Sequence, residues 1–337
     1  MTDMQTNGAT HAPRPLGRGG PLTKAVALGC MSFGGIYGAT DEGESVACLE
    51  AAMAHGIDHL DTALIYGMGR SEEIVGAFVR EHPGRFTVAT KAGIVPGPPR
   101  RFDNGPDYLR EALEGSLERL GMSSVDLFYI HRREQERSIE SVMETLVAFM
   151  EEGLIGGIGL SEVAPSTLRR AASVAPVAAV QNEYSLWSRQ PELGLLQASH
   201  ELGTAFVAFS PLARGMFGER DPDPARFPDG DFRRNNPRFL EPNFSANAAA
   251  IAPFRDWCRA RGQSVAGVAT AWTLAKWDHV IAIPGTRTAA HLAEWVDADG
   301  IVLTASELAE IDRILPPGFA HGDRYSDAQI VGVERYC

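Results

Sequence analysis

Cysteine is scarce in this chain, and its thiols are too far apart in sequence to form a recognisable pattern. The four cysteines are Cys30, Cys48, Cys258 and Cys337, and no two of them are spaced as Cys-x-x-Cys. Disulfide scaffolds and structural zinc sites depend on closely spaced cysteines, so the sequence predicts neither of them. Unpaired thiols are typical of a reducing compartment, and we therefore expect a cytoplasmic protein.

Long apolar runs and an excess of basic residues are also absent. No segment reaches the ~18 consecutive apolar residues of a membrane-spanning helix, and the N-terminal residues lack the apolar core of a secretory signal. The 31 lysines and arginines are outnumbered by 43 aspartates and glutamates, which gives a net charge of -12. General binding to nucleic acid requires clustered cations. We therefore expect neither a membrane nor a nucleic acid as partner.

What the sequence does contain is an alternation of short apolar runs with longer amphipathic segments. The apolar runs are 25–31, 57–61, 86–91, 125–131, 155–161, 177–181, 204–210 and 280–285. The segments with helical spacing are 42–55, 70–81, 106–120, 137–152, 165–174, 191–202, 264–277 and 288–297. Apolar strands that alternate with helices indicate a parallel sheet covered by helices.

Eight such units in one chain predict the α/β architecture of a (β/α)8 TIM barrel. We expect a single domain over 16–337, preceded by a flexible N-terminal tail over 1–15. An open doubly wound sheet remains the alternative at this point. Two segments fall outside the repeat, the Pro-rich and Arg-rich stretch 213–247 after the seventh strand and the C-terminal tail 316–337. Long segments of this kind often cover a binding site.

Three ionisable residues end successive predicted strands. Asp61, Lys91 and His131 close the second, third and fourth apolar runs, and Tyr66 follows Asp61 by five positions. Taken singly, each has an ordinary structural explanation, such as a helix cap for Asp61. Active sites of these barrels lie at the C-terminal ends of the strands, so the four residues together indicate a catalytic site.

The four side chains suit chemistry on a carbonyl group. A tyrosine is a weak acid, and a nearby cation such as Lys91 favours its phenolate and lowers its pKa. Asp61 can balance the charge of Lys91. His131 can donate a hydrogen bond to a substrate oxygen and hold it against the Tyr66 hydroxyl. We therefore predict Tyr66 as the proton donor.

The stretch Gly56-Ile57-Asp58-His59-Leu60-Asp61-Thr62-Ala63-Leu64-Ile65-Tyr66-Gly67 closely resembles the signature of the aldo-keto reductases. Lys91 and His131 fall where that family's remaining catalytic residues are expected. The resemblance extends to 16–18, 28–35, 181–184, 210–212 and 283–287. It implies NADPH-dependent reduction of a small aldehyde or ketone, with hydride delivered from the nicotinamide to the carbonyl carbon.

The position of the cofactor is predicted partly from the sequence and partly from this resemblance. No Gly-x-Gly-x-x-Gly follows a strand, which argues against a Rossmann site. Gly285, Thr286 and Arg287 follow the last apolar run and precede a helix, where a barrel can bind phosphate, although a simple turn is the alternative. The resemblance implies that this segment receives the adenosine 2′-phosphate of NADPH.

Further cofactor contacts are implied by the resemblance alone. The residues are Met31, Asp61, Ser161, Gln181, Phe209, Ser210, Leu212, Gly215 and His291. Ser161 and Gln181 are expected to hold the nicotinamide carboxamide, and Phe209 to stack on its ring. The sequence departs from many family members at Glu162 and Trp295, where asparagine is common, and at Phe209, where tyrosine is common.

The substrate and the oligomeric state are left open by the sequence. Phe33 and Trp187 are candidates for an apolar wall around the substrate, or for packing residues beneath a cover. A Schiff-base aldolase using Lys91 and a cofactor-binding regulatory subunit of the same fold are alternative functions. No metal is predicted, because His59, Asp61 and His131 lack a further ligand with suitable spacing.

Overall fold

The computed structural model describes residues 11–336, and an eight-stranded parallel sheet forms its centre. Val26 pairs with Ala282 and Gly29 with Gly285, so the first and eighth strands also meet and the sheet closes into a barrel. This closure confirms the predicted (β/α)8 barrel and excludes the open sheet. In chain order the strands are β1 (Leu28–Gly29), β2 (His59–Asp61), β3 (Thr87–Ala92), β4 (Leu127–Ile130), β5 (Ile158–Ser161), β6 (Ala179–Glu183), β7 (Ala205–Phe209) and β8 (Val280–Ile283).

Helices cover the outside of the barrel. Within residues 11–336 they are α1 (Glu42–Ala54), α2 (Arg70–Glu81), α3 (Pro106–Leu120), α4 (Ile139–Glu151), α5 (Pro165–Val174), α6 (Leu195–Leu202), α7 (Asn243–Ala260), α8 (Val265–Ala275), α9 (Ala289–Leu292) and α10 (Ala305–Ile314). Helices α7 and α10 were not expected from the repeat. None of the helices in this part of the chain combines the length and apolar character needed to cross a membrane.

The inside of the barrel is filled by side chains from alternate positions of the strands. Small residues such as Ala89 and Ala205 leave room for Tyr129, which is completely buried. A Cβ atom at Gly159 would lie 2.3 Å from the Tyr129 ring, so glycine is required at that position on β5. The filled interior leaves the rim of the barrel as the place for a ligand.

A short hairpin precedes the barrel. Arg14–Pro15 pairs in antiparallel fashion with Leu22–Thr23. Arg14 donates hydrogen bonds to the carbonyl oxygens of Leu274 and Trp277, both at 3.0 Å. Of the predicted N-terminal tail, residues 1–10 lie outside the described residues, whereas Arg14 and Pro15 belong to this hairpin.

The two segments that fall outside the repeat lie against each other. The segment between β7 and α7 consists mainly of short 3-10 turns, and the tail after α10 contains no further helix or strand up to residue 336. Asn236 donates to the carbonyl oxygen of Arg324 at 2.7 Å, and Asn247 donates to that of His321 at 2.9 Å. Both segments therefore form one connected cover beside the barrel.

Candidate active site

The C-terminal ends of three neighbouring strands bring Asp61, Lys91 and His131 together. Asp61 ends β2, Lys91 is the penultimate residue of β3, and His131 directly follows β4. Since β3 pairs in parallel with both β2 and β4, these positions share one edge of the barrel. Tyr66 lies in the turn between β2 and α2, with its ring centroid 5.7 Å from that of His131. The structure thus assembles all four residues selected by the strand-end pattern.

The turn that carries Tyr66 packs directly on the segment after β1. A Cβ atom at Gly34 would lie 2.4 Å from the carbonyl carbon of Tyr66, closer than a non-bonded contact allows. The Tyr66 amide donates to the carbonyl oxygen of Ala63 at 3.0 Å, and its own carbonyl accepts from the Ser71 amide at 3.2 Å. Glycine at position 34 therefore lets the two backbones touch and positions Tyr66 at the barrel rim.

Lys91 lies at the centre of the hydrogen-bond network. Its ammonium group forms a buried ion pair with Asp61, donates to the Thr62 carbonyl oxygen at 2.8 Å and lies 3.5 Å from the Tyr66 hydroxyl. The second carboxylate oxygen of Asp61 accepts a hydrogen bond from Gln181 at 2.8 Å. Burial by itself would lower the pKa of Lys91, but the Asp61 carboxylate raises it above its usual value. Lys91 is therefore an ammonium ion at neutral pH.

This environment disfavours the aldolase alternative. Schiff-base formation requires a neutral lysine amine that a carbonyl substrate can reach. The side chain of Lys91 has no exposed surface, and its ammonium group donates to Asp61 and Thr62 and faces the Tyr66 hydroxyl. The residue is suited to an electrostatic role instead.

Tyr66 keeps its proton at neutral pH. Burial raises the pKa of the phenol above its ordinary value, and the charge of Lys91 opposes that rise. The sequence correctly predicted the direction in which Lys91 acts, but burial has the larger effect, so the pKa is not lowered overall. A raised pKa suits a proton donor, because the Tyr66 hydroxyl remains protonated until it reacts.

His131 is a neutral imidazole. Burial lowers its pKa well below the usual value, and the positive charges of Arg132, Lys91 and Arg100 lower it further. Its Nδ1 atom is buried without a hydrogen-bond partner among residues 11–336. In the tautomer that carries the proton on Nε2, His131 can donate one hydrogen bond to an oxygen atom beside Tyr66.

A cavity of about 890 Å³ opens next to Tyr66 and His131. It extends to the segment after β8 and contains every residue that was predicted to touch the cofactor. These residues are Met31, Asp61, Ser161, Gln181, Phe209, Ser210, Leu212, Gly215, Gly285, Thr286, Arg287 and His291. The volume is within the range of ~300–1,000 Å³ that is usual for sites that bind small molecules and cofactors.

Comparison with known proteins agrees with this geometry. Residues 25–316 match the model described as the Aldo/keto reductase family. The chain belongs to this family. It is 35% identical over 315 residues to the aldo-keto reductase yakc of Schizosaccharomyces pombe, whose name specifies NADP(+), and the match covers 91% of this chain and 93% of the relative. A probable aldo-keto reductase 1 of Glycine max is 33% identical, with coverage of 93% and 91%.

Solved structures of aldo-keto reductases share the fold of this chain. The glycerol dehydrogenase AKR11B4 of Gluconobacter oxydans superposes with a TM-score of 0.82 and is 32% identical, covering 91% of this chain and 95% of its own. An aldo/keto reductase of Klebsiella pneumoniae in complex with NADP and acetate gives a TM-score of 0.72 at 26% identity, with coverage of 94% and 99%.

The cavity of this aldo/keto reductase fits a phosphorylated nicotinamide dinucleotide. Arg287 lines it after β8, and within residues 11–336 its guanidinium donates only to the carbonyl oxygen of Ala39, at 3.0 Å. Trp295 also lines the cavity, and its buried indole N–H has no acceptor among the described residues. Gln181 also lines the cavity and donates its amide nitrogen to Asp61. Cationic and donor groups are thus free where an anionic, hydrogen-bonding cofactor would lie.

Glu162, which replaces the asparagine of many family members, does not line the cavity. Arg324 from the C-terminal tail binds its carboxylate through contacts of 2.9 Å and 2.5 Å, and the Glu183 amide donates to it at 2.9 Å. Burial by itself would raise the pKa of Glu162, but Arg324 lowers it below the usual value. In this reductase the residue anchors the tail.

The structure corrects the expected substrate wall. Phe33 lies in the 3-10 turn Cys30–Gly34 and is completely buried in the main hydrophobic core. Trp187 is 4% exposed and stacks on Phe239 at 6.0 Å between ring centroids, beneath the cover. Neither residue is among those that line the cavity. Both are packing residues, which was the alternative that the sequence left open.

Part of the cavity wall comes from segments that carry no repeat signal. It includes Tyr37 from the loop after β1, Arg100 from the loop after β3, Arg132 next to His131, Phe232 from the cover and Tyr325 from the tail. The only signals in the sequence were the length of the two covering segments and the position of Arg132 directly after His131. Sequence reasoning used the first of these signals and missed the second.

Proposed function

We propose that this aldo/keto reductase uses NADPH to reduce an aldehyde or ketone to the alcohol, with Tyr66 as the proton donor. One observation carries the proposal. Tyr66 lines the cavity, its hydroxyl lies 3.5 Å from the Lys91 ammonium, and its ring packs edge-on against the neutral ring of His131. The relatives named or solved with NADP support the choice of cofactor.

The cofactor site follows from the residues that line the cavity. NADPH, when bound, supplies the hydride that adds to the carbonyl carbon. Ser161 and Gln181 would hold the carboxamide of its nicotinamide ring, against which Phe209 would pack. Arg287 and Thr286 would bind the 2′-phosphate, because a guanidinium can donate two parallel hydrogen bonds to phosphate oxygens and a hydroxyl can donate one.

The catalytic residues act on the carbonyl oxygen. His131 donates a hydrogen bond to that oxygen and so polarises the carbonyl group. Tyr66 transfers its hydroxyl proton to the same oxygen as the carbon gains hydride, and the product is the alcohol. Lys91 stabilises the phenolate left on Tyr66, and Asp61 balances the charge of Lys91. Solvent returns a proton to Tyr66 before the next cycle.

A panel of aldehydes and ketones tests this proposal. Purified protein is mixed with NADPH and each carbonyl compound, and loss of NADPH absorbance is followed beside a control without substrate. We expect NADPH to be oxidised and the alcohol to form in equal amounts. Tight NADPH binding without oxidation by any compound would instead indicate the cofactor-binding regulatory subunit that the sequence left open.

We propose that the protein is located in the cytoplasm. Cys30, Cys48 and Cys258 are buried free thiols, as expected of a protein in a reducing compartment. Cell fractionation tests the proposal, since recovery in a secreted or membrane fraction would contradict it.

A further inference from the structure

Two arginines in the cavity wall next to the catalytic residues have no acidic partner among the described residues. Arg132 directly follows His131 and is 7% exposed, whereas Arg100 is an exposed residue at the rim, on the loop after β3. Neither forms an ion pair within residues 11–336. The buried cation of Arg132 is costly unless something balances its charge, and the exposed Arg100 adds positive charge to the same wall.

The hydrogen bonds of Arg132 leave much of its guanidinium unused. Nη1 donates to the carbonyl oxygen of His131 at 2.6 Å and to the hydroxyl of Ser161 at 3.1 Å. Nε is buried and has no acceptor in the part of the chain that is described. The remaining nitrogen, Nη2, makes no hydrogen bond within residues 11–336. The two contacts of Nη1 fix the group in place and leave donors for a ligand.

Arg100 lies close enough to Arg132 for the two charges to interact. Partial desolvation at the rim lowers the pKa of Arg100, and the charge of Arg132 lowers it further. The nearest partner of its guanidinium is the carbonyl oxygen of Gln329, at 3.5 Å. Two mutually repelling cations at one wall form a site that an anion would stabilise.

The other charged groups nearby are already paired. Arg214 binds Glu183 at 2.8 Å, and Arg233 binds Asp231 at 2.7 Å. Arg132 lies within electrostatic reach of Glu162, but Arg324 binds both oxygens of that carboxylate. A positive surplus therefore remains beside Tyr66 and His131.

We propose that the physiological substrate is a carbonyl compound that carries an anionic group, a carboxylate or a phosphate, bound by Arg132 and Arg100. This inference rests on the proposed function, because it assigns the far end of a substrate whose carbonyl oxygen contacts Tyr66 and His131. The forked guanidinium of arginine matches both kinds of anion through paired hydrogen bonds.

Matched pairs of charged and neutral substrates test the inference. The first arm compares 2-, 3- and 4-carboxybenzaldehyde with their methyl esters, and the second compares glyceraldehyde 3-phosphate with glyceraldehyde. We expect kcat/KM to favour the anion by about tenfold or more in at least one pair, as an added charged hydrogen bond would give. The arm that shows the preference identifies the carboxylate or the phosphate as the group recognised.

Arginine variants connect such a preference to the site. In Arg100→Gln and Arg132→Gln, the ratio of kcat/KM for the anion over its neutral partner falls about tenfold. Arg101→Gln is the matched control, since Arg101 is adjacent, exposed and not part of the cavity wall, and it keeps the wild-type ratio. Arg100→Gln keeps the test valid if the change beside His131 impairs folding.

The outcomes separate this inference from the proposed function. If the neutral partners are reduced as well as the anions in every pair, the inference is overturned while the reductase function stands. If the preference exists but survives in both arginine variants, the assignment to Arg100 and Arg132 is overturned. If no carbonyl compound is reduced at all, the proposed function fails and the inference fails with it.

Discussion

Glu162 and Arg324 form a buried, bidentate ion pair that joins the end of β5 to the C-terminal tail. The guanidinium of Arg324 also reaches Glu183 at 3.3 Å, and Glu183 in turn binds Arg214 from the cover. Glu162 has a φ of 55°, in the left-handed region that asparagine adopts more readily than glutamate. The ion pair thus stabilises a residue whose backbone conformation is unfavourable, and it places the adjacent Tyr325 in the cavity wall.

Removal of Arg324 should therefore destabilise the protein. In Arg324→Met, Glu162 and Glu183 lose a buried partner, and we expect the free energy of unfolding to fall by about 3 kcal/mol. Urea unfolding measures the change. Arg110→Met removes one partner of the exposed pair with Glu152 and serves as the control, with a much smaller expected effect. Equal stability of the two variants would contradict the anchoring role.

The pairing of Lys91 with Asp61 can be separated from its role in catalysis. Lys91→Met leaves a buried carboxylate without its cation, so we expect a loss of about 3 kcal/mol in unfolding free energy together with loss of reductase activity. Adding Asp61→Asn removes the stranded charge and should restore most of the stability but none of the activity. Recovery of activity in the double variant would mean that the Lys91 charge is not needed beside Tyr66.

Acid should weaken the fold through His279. Burial lowers the pKa of His279 from 6.5 to about 4. Between those values the unfolded chain binds a proton that the folded chain excludes, so stability is fully present above pH ~6.5 and falls as the pH drops towards ~4. Urea unfolding of wild type and His279→Gln from pH 7 to pH 5 should show a shallower pH dependence in the variant. Identical slopes would refute this assignment.

Arg287 should discriminate between the two nicotinamide cofactors. Because its guanidinium is expected to bind the 2′-phosphate, Arg287→Ala should raise the Kd for NADPH on the order of tenfold and leave that for NADH nearly unchanged. Fluorescence titration with both cofactors measures the effect. Arg226→Ala is a suitable control, since Arg226 is exposed and does not line the cavity. An equal loss for both cofactors would exclude the phosphate contact.

The sequence was most informative where parallel strands impose regularity. Because the C-terminal ends of such strands share one edge, the positions of Asp61, Lys91 and His131 were enough to predict that they meet. The barrel itself was predicted from eight apolar runs. Six of the eight predicted helices both begin and end within about two residues of the observed bounds.

The substrate wall could not be predicted in the same way. Phe33 lies in the segment that follows β1, but the 3-10 turn Cys30–Gly34 directs it into the core, and no periodic pattern predicts such a turn. Arg324 and Tyr325 reach the site through contacts with residues more than a hundred positions away, such as Glu162. Contacts of that kind depend on the folded barrel and are invisible to local patterns. Helix α7 was not predicted because the Pro-rich segment assigned as a cover, 213–247, includes the first residues of this helix.

The central claim is that Tyr66 donates the proton. Tyr66→Phe keeps the ring that packs beside His131 and removes only the hydroxyl near Lys91. The decisive measurement is the rate of aldehyde reduction by this variant, with its NADPH affinity determined in parallel. We predict a fall in kcat of about 100-fold or more while NADPH binds as in the wild type. Reduction at the wild-type rate would contradict the mechanism.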